Sequence, residues 1–558
     1  MEDDNPPFVS AEPLNAENAR AVTPAFGLGR WAPFQYERDQ HTTMIRPFWG
    51  RIILWFLVLA CVGWVVVSGG LYGFIKYKRG FSEVRYVHML LLPWKLEDYR
   101  RAKGEFVIRQ GLASAEAHEW RQALGLLRSG LKAVPDNQEA CLMVARIYLM
   151  AGRPDMTRDT LIEGLKYHGA QLDYLRDVVG FFFGLEADTT VIELTSELRQ
   201  RLDPATPAGR MAATALAYAY FNRGLYKEAG AVVDSARLRD TLEGHFVTAR
   251  IAWMKGRHEE ALYQLNALTN RAPDNNEFYG TLIAYLREDH RWDELRRASL
   301  LRQFAMPNRP EAYVDFIEAC GKQGDEAGRS EAETAFLTRF NRDAGALLKL
   351  GELASHEGRA GVAGRVAACC RELKSGEAES ALLWLGAYLE QRDYQEMLDR
   401  CAELAPQTAK WSDQYRMILG GLRAAALYGL HEETEAEPLA DRLVGTKLLP
   451  AQTLTALAIQ WQAVGQGAKA RQLLRHAVEL DPLNRPALVL FLRGLLAEGR
   501  LQEALPLIER LLGMRNPPGD LLEAVAAALD SDRYLFLADR GRVCTMIKAF
   551  LITRNPRG

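Results

Sequence analysis

The chain holds 558 residues, 48% of them hydrophobic and 25% charged, which is ordinary globular composition and excludes disorder of the whole. Lys and Arg number 69 against 71 Asp and Glu, a net charge of -2, so bulk charge gives no pull toward nucleic acid and no such partner is expected. The seven cysteines are odd in number, scattered and without a C-x-x-C pair, which argues against a disulfide framework and against a zinc site.

Residues 1–45 open with "MEDDNPPF" and are rich in Pro, Asn, Asp and Glu, which predicts a disordered tail. Ile52 to Ile75 then reads "IILWFLVLACVGWVVVSGGLYGFI", 24 residues without a charge. At about 1.5 Å rise each they reach roughly 36 Å, enough to cross a hydrocarbon core of about 30 Å. A cleaved secretory signal would start earlier and be shorter. The "VLAC" ending at Cys61 is similar to a lipobox, yet the chain after it stays apolar where a polar tether belongs. A permanent transmembrane helix over 52–75 is expected, with the lipid bilayer as its partner. Gly69 and Gly73 make one G-x-x-x-G, a candidate face for a homodimer. Lys76, Lys78, Arg79, Arg85 and Lys95 follow this run and Arg38, Arg46 and Arg51 precede it, so the positive-inside rule favours a cytoplasmic carboxyl-terminal portion. A juxtamembrane segment, 76–102, has basic residues followed by Tyr, Leu and Trp. It suits a membrane interface or a short amphipathic helix packed on the first repeat.

From 103 to 518 the sequence is helical and periodic. "ALAIQWQAVGQGAKARQLLRHAVELDP", Ala456 to Pro482, sets Ala458, Trp461, Gly465, Ala470, Leu474, Ala477 and Pro482 at offsets that recur in the next unit, with Gly499 and Ala504 each 34 residues on. Small residues let two antiparallel helices approach, Gly permits the turn, and Pro ends the second helix. This pattern resembles the tetratricopeptide repeat (TPR) family. The resemblance implies an all-α, right-handed helical solenoid of about ten helix pairs with one transmembrane helix before it. Upstream units are marked by Gly111, Gly152, Gly224, Gly256, Gly351 with Gly358, and Gly386, while 172–208 and 406–450 fit the pattern poorly. The stretch 519–558 is expected to form capping helices.

No H-E-x-x-H, G-x-S-x-G or phosphate loop occurs and the ten histidines are isolated, so no catalytic, cofactor-binding or metal residues are assigned and no enzyme is expected. A solenoid offers instead a groove lined by the first helix of each pair. In 210–268 the inward set is Tyr218, Phe221, Phe246, Arg250, Trp253 and Met254, an aromatic lining suited to protein or peptide partners. The Lys, Asn and Arg clamp with which some family members hold a partner's terminal carboxylate is absent.

These features point to a membrane-anchored scaffold that binds partner proteins. The chain resembles repeat proteins of bacterial envelopes that help assemble secretion, polysaccharide or lipopolysaccharide machinery, which implies the bacterial inner membrane; the flanking charges favour the cytoplasm over the periplasm for the solenoid by a narrow margin. One such group carries paired C-x-x-C motifs, which are missing here. The alternatives are a regulatory subunit of a membrane enzyme complex and a protein similar to organelle import receptors.

Overall fold

The computed structural model describes residues 22–24, 34–38, 43–78, 85–91 and 95–554. They divide into two compact units, Met1–Gly169 and Ala170–Gly558.

In the first unit three strands, β1 (Val22–Pro24), β2 (Phe34–Arg38) and β3 (Thr43–Pro47), pair as an antiparallel meander with Val22 opposite Glu37 and Tyr36 opposite Ile45. The expectation of disorder over 1–45 is therefore corrected for these segments, whose Phe, Tyr, Thr and Ile suit extended backbone. The rest of 1–45 lies outside the described residues. Helix α1 (Trp49–Gly73) continues into a π-helical turn over Phe74–Lys78. Together they form the one described helix long and apolar enough to cross a membrane, with mean hydropathy 2.5. Its Phe56, Leu59 and Val66 side chains are exposed. A short α2 (Tyr86–Leu90) comes after it.

Twelve antiparallel helix pairs come next among the described residues. In the first unit α3 (Leu96–Glu116) pairs with α4 (Trp120–Leu131), and α5 (Gln138–Met150) with α6 (Pro154–His168). In the second unit the pairs are α7 (Leu172–Gly184) with α8 (Asp188–Arg201), α9 (Pro207–Asn222) with α10 (Tyr226–Ser235), α11 (Leu242–Met254) with α12 (His258–Arg271), α13 (Asn276–Glu288) with α14 (Trp292–Ala305), and α15 (Pro310–Lys322) with α16 (Glu326–Arg339). They continue as α17 (Ala344–His356) with α18 (Ala360–Leu373), α19 (Glu377–Gln391) with α20 (Tyr394–Thr408), α21 (Asp413–Gly429) with α22 (Glu433–Val444), α23 (Ala451–Ala463) with α24 (Gly467–Leu480), and α25 (Arg485–Ala497) with α26 (Leu501–Leu512). Helices α27 (Gly519–Leu529) and α28 (Arg540–Arg554) close the chain.

Each pair turns on one residue of left-handed backbone: His118, Gly152, Glu186, Gly224, Gly256, His290, Gly324, Gly358, Arg392, His431, Gly465 and Gly499. At the Gly256 turn the Gly256 N–H donates to the Trp253 carbonyl and the Arg257 N–H to the Ala252 carbonyl, both at 2.9 Å, which satisfies the last carbonyls of α11. Successive turns stand 34 residues apart except at 186 to 224, 224 to 256 and 392 to 431. The fold is thus an all-α, TPR-type array.

The stretches 172–208 and 406–450 hold regular pairs. Their sequence signal is weak because Glu186 and His431 occupy the turn where glycine is expected, and because the long intervals fall beside them. Gly386 is not a turn residue: it lies inside α19, where a Cβ would meet Ser355 Oγ at 2.7 Å, and the turn is made by Arg392. The first pair begins at Leu96 rather than 103.

The expected packing positions are filled as the repeat chemistry requires. Ala458, Trp461, Ala470, Leu474 and Ala477 are fully buried, and the Trp461 indole N–H donates to the Gly421 carbonyl at 3.0 Å. First helices are started by side-chain caps such as Asn137, Asn275 and Asn484, each accepting from a backbone N–H inside the helix.

Candidate partner-binding faces of the second unit

Of the six residues expected to line a groove, Tyr218, Phe221 and Phe246 gather around the Arg250 guanidinium. It lies 4.1 Å from the ring centroid of Phe221, 5.4 Å from Phe246 and 5.7 Å from Tyr218. They do not form an open surface. Phe221, Phe246 and Trp253 are buried, and only Tyr218, Arg250 and Met254 keep partial exposure. The physical reason is the close stacking of successive first helices. Phe246 meets Phe278 of α13 at 4.9 Å between centroids, and Trp253 is sandwiched between His258 at 4.0 Å and Tyr285 at 4.2 Å, near-parallel to both. Its indole N–H donates to Glu288 Oε2 at 3.3 Å. Burial pushes the Tyr218 and Tyr285 hydroxyls above the usual tyrosine range, with Arg250 working against it in both, so both stay neutral. This is a packed aromatic seam with a cation in it.

Sequence reasoning missed a second face, formed by α13, α15 and α17. The i, i+4 and i+7 positions of α15 place Glu311, Asp315 and Glu318 on one side, and Lys349, Glu352 and His356 of α17 join them around a recess of ≈470 Å³. Arg287 of α13 donates from Nη2 to Glu318 Oε2 at 2.6 Å and to Asp315 Oδ1 at 3.0 Å. From α14, Arg302, only 4% exposed, donates to Asp315 Oδ2 and to Asn276 Oδ1, each at 2.6 Å. Burial drives the Asp315 carboxyl above the usual range against the pull of the two arginines. Glu311 pairs with Lys349 at 2.8 Å; burial alone would raise its pKa, and the Lys349 ammonium, a backbone hydrogen bond and Arg302 together lower it. The ion chain runs on through Glu357, Arg329, Glu333 and Arg359 between α15 and α18. Buried carboxylates here are held by arginines of neighbouring pairs, while Lys322 and Lys349 keep nearly half of their side chains exposed.

Among the described residues no group of three or more His, Cys, Asp or Glu is placed to hold a metal ion, and the seven cysteines form no disulfide. The available chemistry is ionic and aromatic recognition.

No protein-family model matches the chain, and no curated protein matches it. Solved structures similar to it include the APC/C hetero-tetramer Cut9–Hcn1, 12% identical over 88% of this chain and 91% of that one at a TM-score of 0.31. Naa15/Naa10 bound to HypK-THB is 16% identical over 89% and 80% at 0.27. A tetratricopeptide repeat protein from Parabacteroides merdae is 14% identical over 45% and 97% at 0.26. The repeat assignment itself rests on the chain's own 34-residue turn geometry.

Proposed function

We propose that the protein is a single-pass membrane scaffold whose helical repeats gather partner proteins at the membrane, in the assembly of a bacterial envelope, secretion or polysaccharide system, with the repeats in the cytoplasm. The observation that carries this reading is the charged recess of α13, α15 and α17, where Lys322 and Lys349 stand half-exposed among carboxylates on the face from which helical arrays recruit ligands. Its mixed charge suits a partner segment carrying both signs, recognised by electrostatic complementarity. On α1, Gly69 and Gly73 have open space where a Cβ would stand, a face that fits a second copy of the same helix. The half-buried edge of Tyr218, Arg250 and Met254 is a second contact region for the same partners.

Crosslinking of the full chain in its membranes, followed by mass spectrometry, tests this. Lys322→Gln with Lys349→Gln removes both half-exposed cations without setting like charges beside Glu311 and Glu357, so it should cost little stability, and it should remove the main crosslinked partners. An identical partner set in wild type and double variant overturns the recess as the recruiting face.

A further inference from the structure

Helix α2 does not lead away from α1 but folds back along it. The Tyr86 hydroxyl donates to the Val65 carbonyl at 3.2 Å, and the Trp64 indole N–H donates to the Leu90 carbonyl at 2.7 Å. The Tyr86 ring meets Tyr72 edge-on at 5.9 Å, Ser68 of α1 is only 2% exposed, and Met89 is buried among Tyr72, Ile75, Tyr99, Ala102 and Phe106. The contacts of α2 therefore run from Tyr72 and Ile75 back to Trp64, which stands at the middle of the uncharged Ile52–Ile75 run.

We propose that α2 is a second membrane-inserted element, lying beside the carboxyl-terminal half of α1 inside one leaflet with lipid acyl chains as its partner. This rests on the reading of α1 as the anchor. The first argument is depth. With Lys76 and Lys78 at the headgroup level, Ser68 lies eight residues inward, about 12 Å, against a half-bilayer of about 15 Å of hydrocarbon. Val65 and Trp64, to which α2 is bonded, lie eleven and twelve residues inward, roughly 17 to 18 Å and so near the bilayer midplane, which places the bonded groups of α2 in hydrocarbon.

The second argument is composition. Tyr86–Leu91 carries no Asp, Glu, Lys or Arg, and Val87 is 48% exposed. The charges, Arg85 and Lys95, bracket the segment, where long side chains reach the headgroups.

The third is backbone accounting. Hydrocarbon supplies no hydrogen bonds, so the carbonyls at the end of an inserted helix need protein donors. The Val87 carbonyl takes the Leu91 N–H at 3.0 Å, the Leu90 carbonyl takes the Trp64 indole, and the Leu91 carbonyl takes the Lys95 N–H at 2.8 Å. In water the indole bond would be redundant. In a leaflet it gives the Leu90 carbonyl a donor that lipid cannot supply.

The test uses the full chain in phosphatidylcholine–phosphatidylglycerol nanodiscs with half-buried Cys369 replaced by Ser. A nitroxide is placed on native Cys61, on Cys61→Ser with Val87→Cys, or on Cys61→Ser with exposed Tyr263→Cys as a water reference, and collision with oxygen and with a nickel chelate is read by electron paramagnetic resonance. The expected result is an oxygen-to-nickel ratio several-fold above the Tyr263 reference at both Cys61 and Val87, with Val87 the shallower. Trp64→Phe should raise nickel access at Val87 while leaving Cys61 unchanged. A protected Cys61 with a Val87 ratio equal to the water reference overturns the inserted α2 and leaves the anchor standing. Nickel access at both sites overturns the anchor, and the proposal with it.

Discussion

Arg515 donates from Nε to Asp188 Oδ2 at 2.7 Å, joining residues 327 positions apart, and the carboxylate is 1% exposed. Asn222 donates to the same carboxylate at 2.8 Å, the Arg515 Nη2 donates to the Phe183 carbonyl at 2.8 Å, and the Asn516 N–H donates to the Asn222 carbonyl at 3.1 Å. Asp188 is also the first residue of α8, where the helix start favours a negative charge. The exit of α26 is thereby clasped to the region of α7–α10, and Phe550 of α28 reaches Gly224. Repeat arrays are stabilised mainly by nearest neighbours, so a clasp between distant pairs adds a closure beyond that stacking.

Removing either partner should open the clasp, with unequal costs. Arg515→Ala leaves a fully buried carboxylate without its cation and should cost about 3 kcal/mol, the lower end for an orphaned buried charge because Asn222 and the helix start remain. Asp188→Ala leaves Arg515, already 24% exposed, free to hydrate and should cost less. Both should speed hydrogen exchange at the Asn516 amide. Wild-type exchange there in both variants would show that the clasp is not a closure.

The turn residues give a prediction of opposite signs. At Gly256 (φ 75°) and Gly465 (φ 84°) a Cβ would meet nothing within 4 Å, so Ala there tests backbone conformation alone and should destabilise by about 1 kcal/mol. Arg392 holds the same conformation with φ 60° and is exposed, so Arg392→Gly should be neutral or stabilising by up to about 1 kcal/mol. Thermal unfolding of the three variants decides it. A loss in Arg392→Gly as large as in Gly256→Ala would mean that the turns do not share one conformational requirement.

The repeat was legible where the turn carried glycine and the helices carried paired alanines, as in Ala458, Gly465 and Ala470. It faded where His, Glu or Arg replaced glycine, since the left-handed turn is then specified by the helices on either side. The aromatic set around Arg250 was legible as a cluster but not as buried, because burial depends on Phe278 and Tyr285 arriving from the next pair. The recess was missed for the same reason. Its signal is opposite charges spaced just under one repeat, as in Arg287 with Glu318, Arg329 with Glu357 and Lys469 with Glu437, which is visible only once neighbouring pairs are known to stack. The clasp has no local signal at all.

Alkaline pH should weaken the second unit. Burial pushes the Cys401 thiol from 9.0 up to about 12, and the hydrogen bond that Tyr415 donates to Glu379, with burial, pushes that hydroxyl from 10.0 up to about 12. Between pH 9 and 12 the unfolded chain releases these protons while the folded chain keeps them, so the unfolded state binds fewer protons and stability falls as pH rises. Tyr415→Phe and Cys401→Ala should each flatten the decline of the urea midpoint over that range. An unchanged slope in both would place the alkaline sensitivity elsewhere.

The last prediction separates packing from recognition at the aromatic seam. Phe246, fully buried, and Trp253, 3% exposed, meet α13 in the same way that Leu265 fills the space between α11 and α12. Phe246→Ala and Trp253→Ala should therefore create cavities costing about 3 to 5 kcal/mol, similar to Leu265→Ala, although in an array the loss can melt one region rather than the whole. Trp253→Ala also unstacks His258 and Tyr285, which places it at the upper end. Arg250→Lys keeps the charge but loses the flat guanidinium face over Phe221, so it should cost about 1 kcal/mol and serves as the milder probe. Circular dichroism melts and partner recovery are measured on the same preparations. Lowered melting in Phe246→Ala and Trp253→Ala, matching Leu265→Ala, fits a seam that holds the pairs together. Unchanged melting with lost partners would instead make the seam a binding surface, and the core assignment of Phe246 and Trp253 would fail.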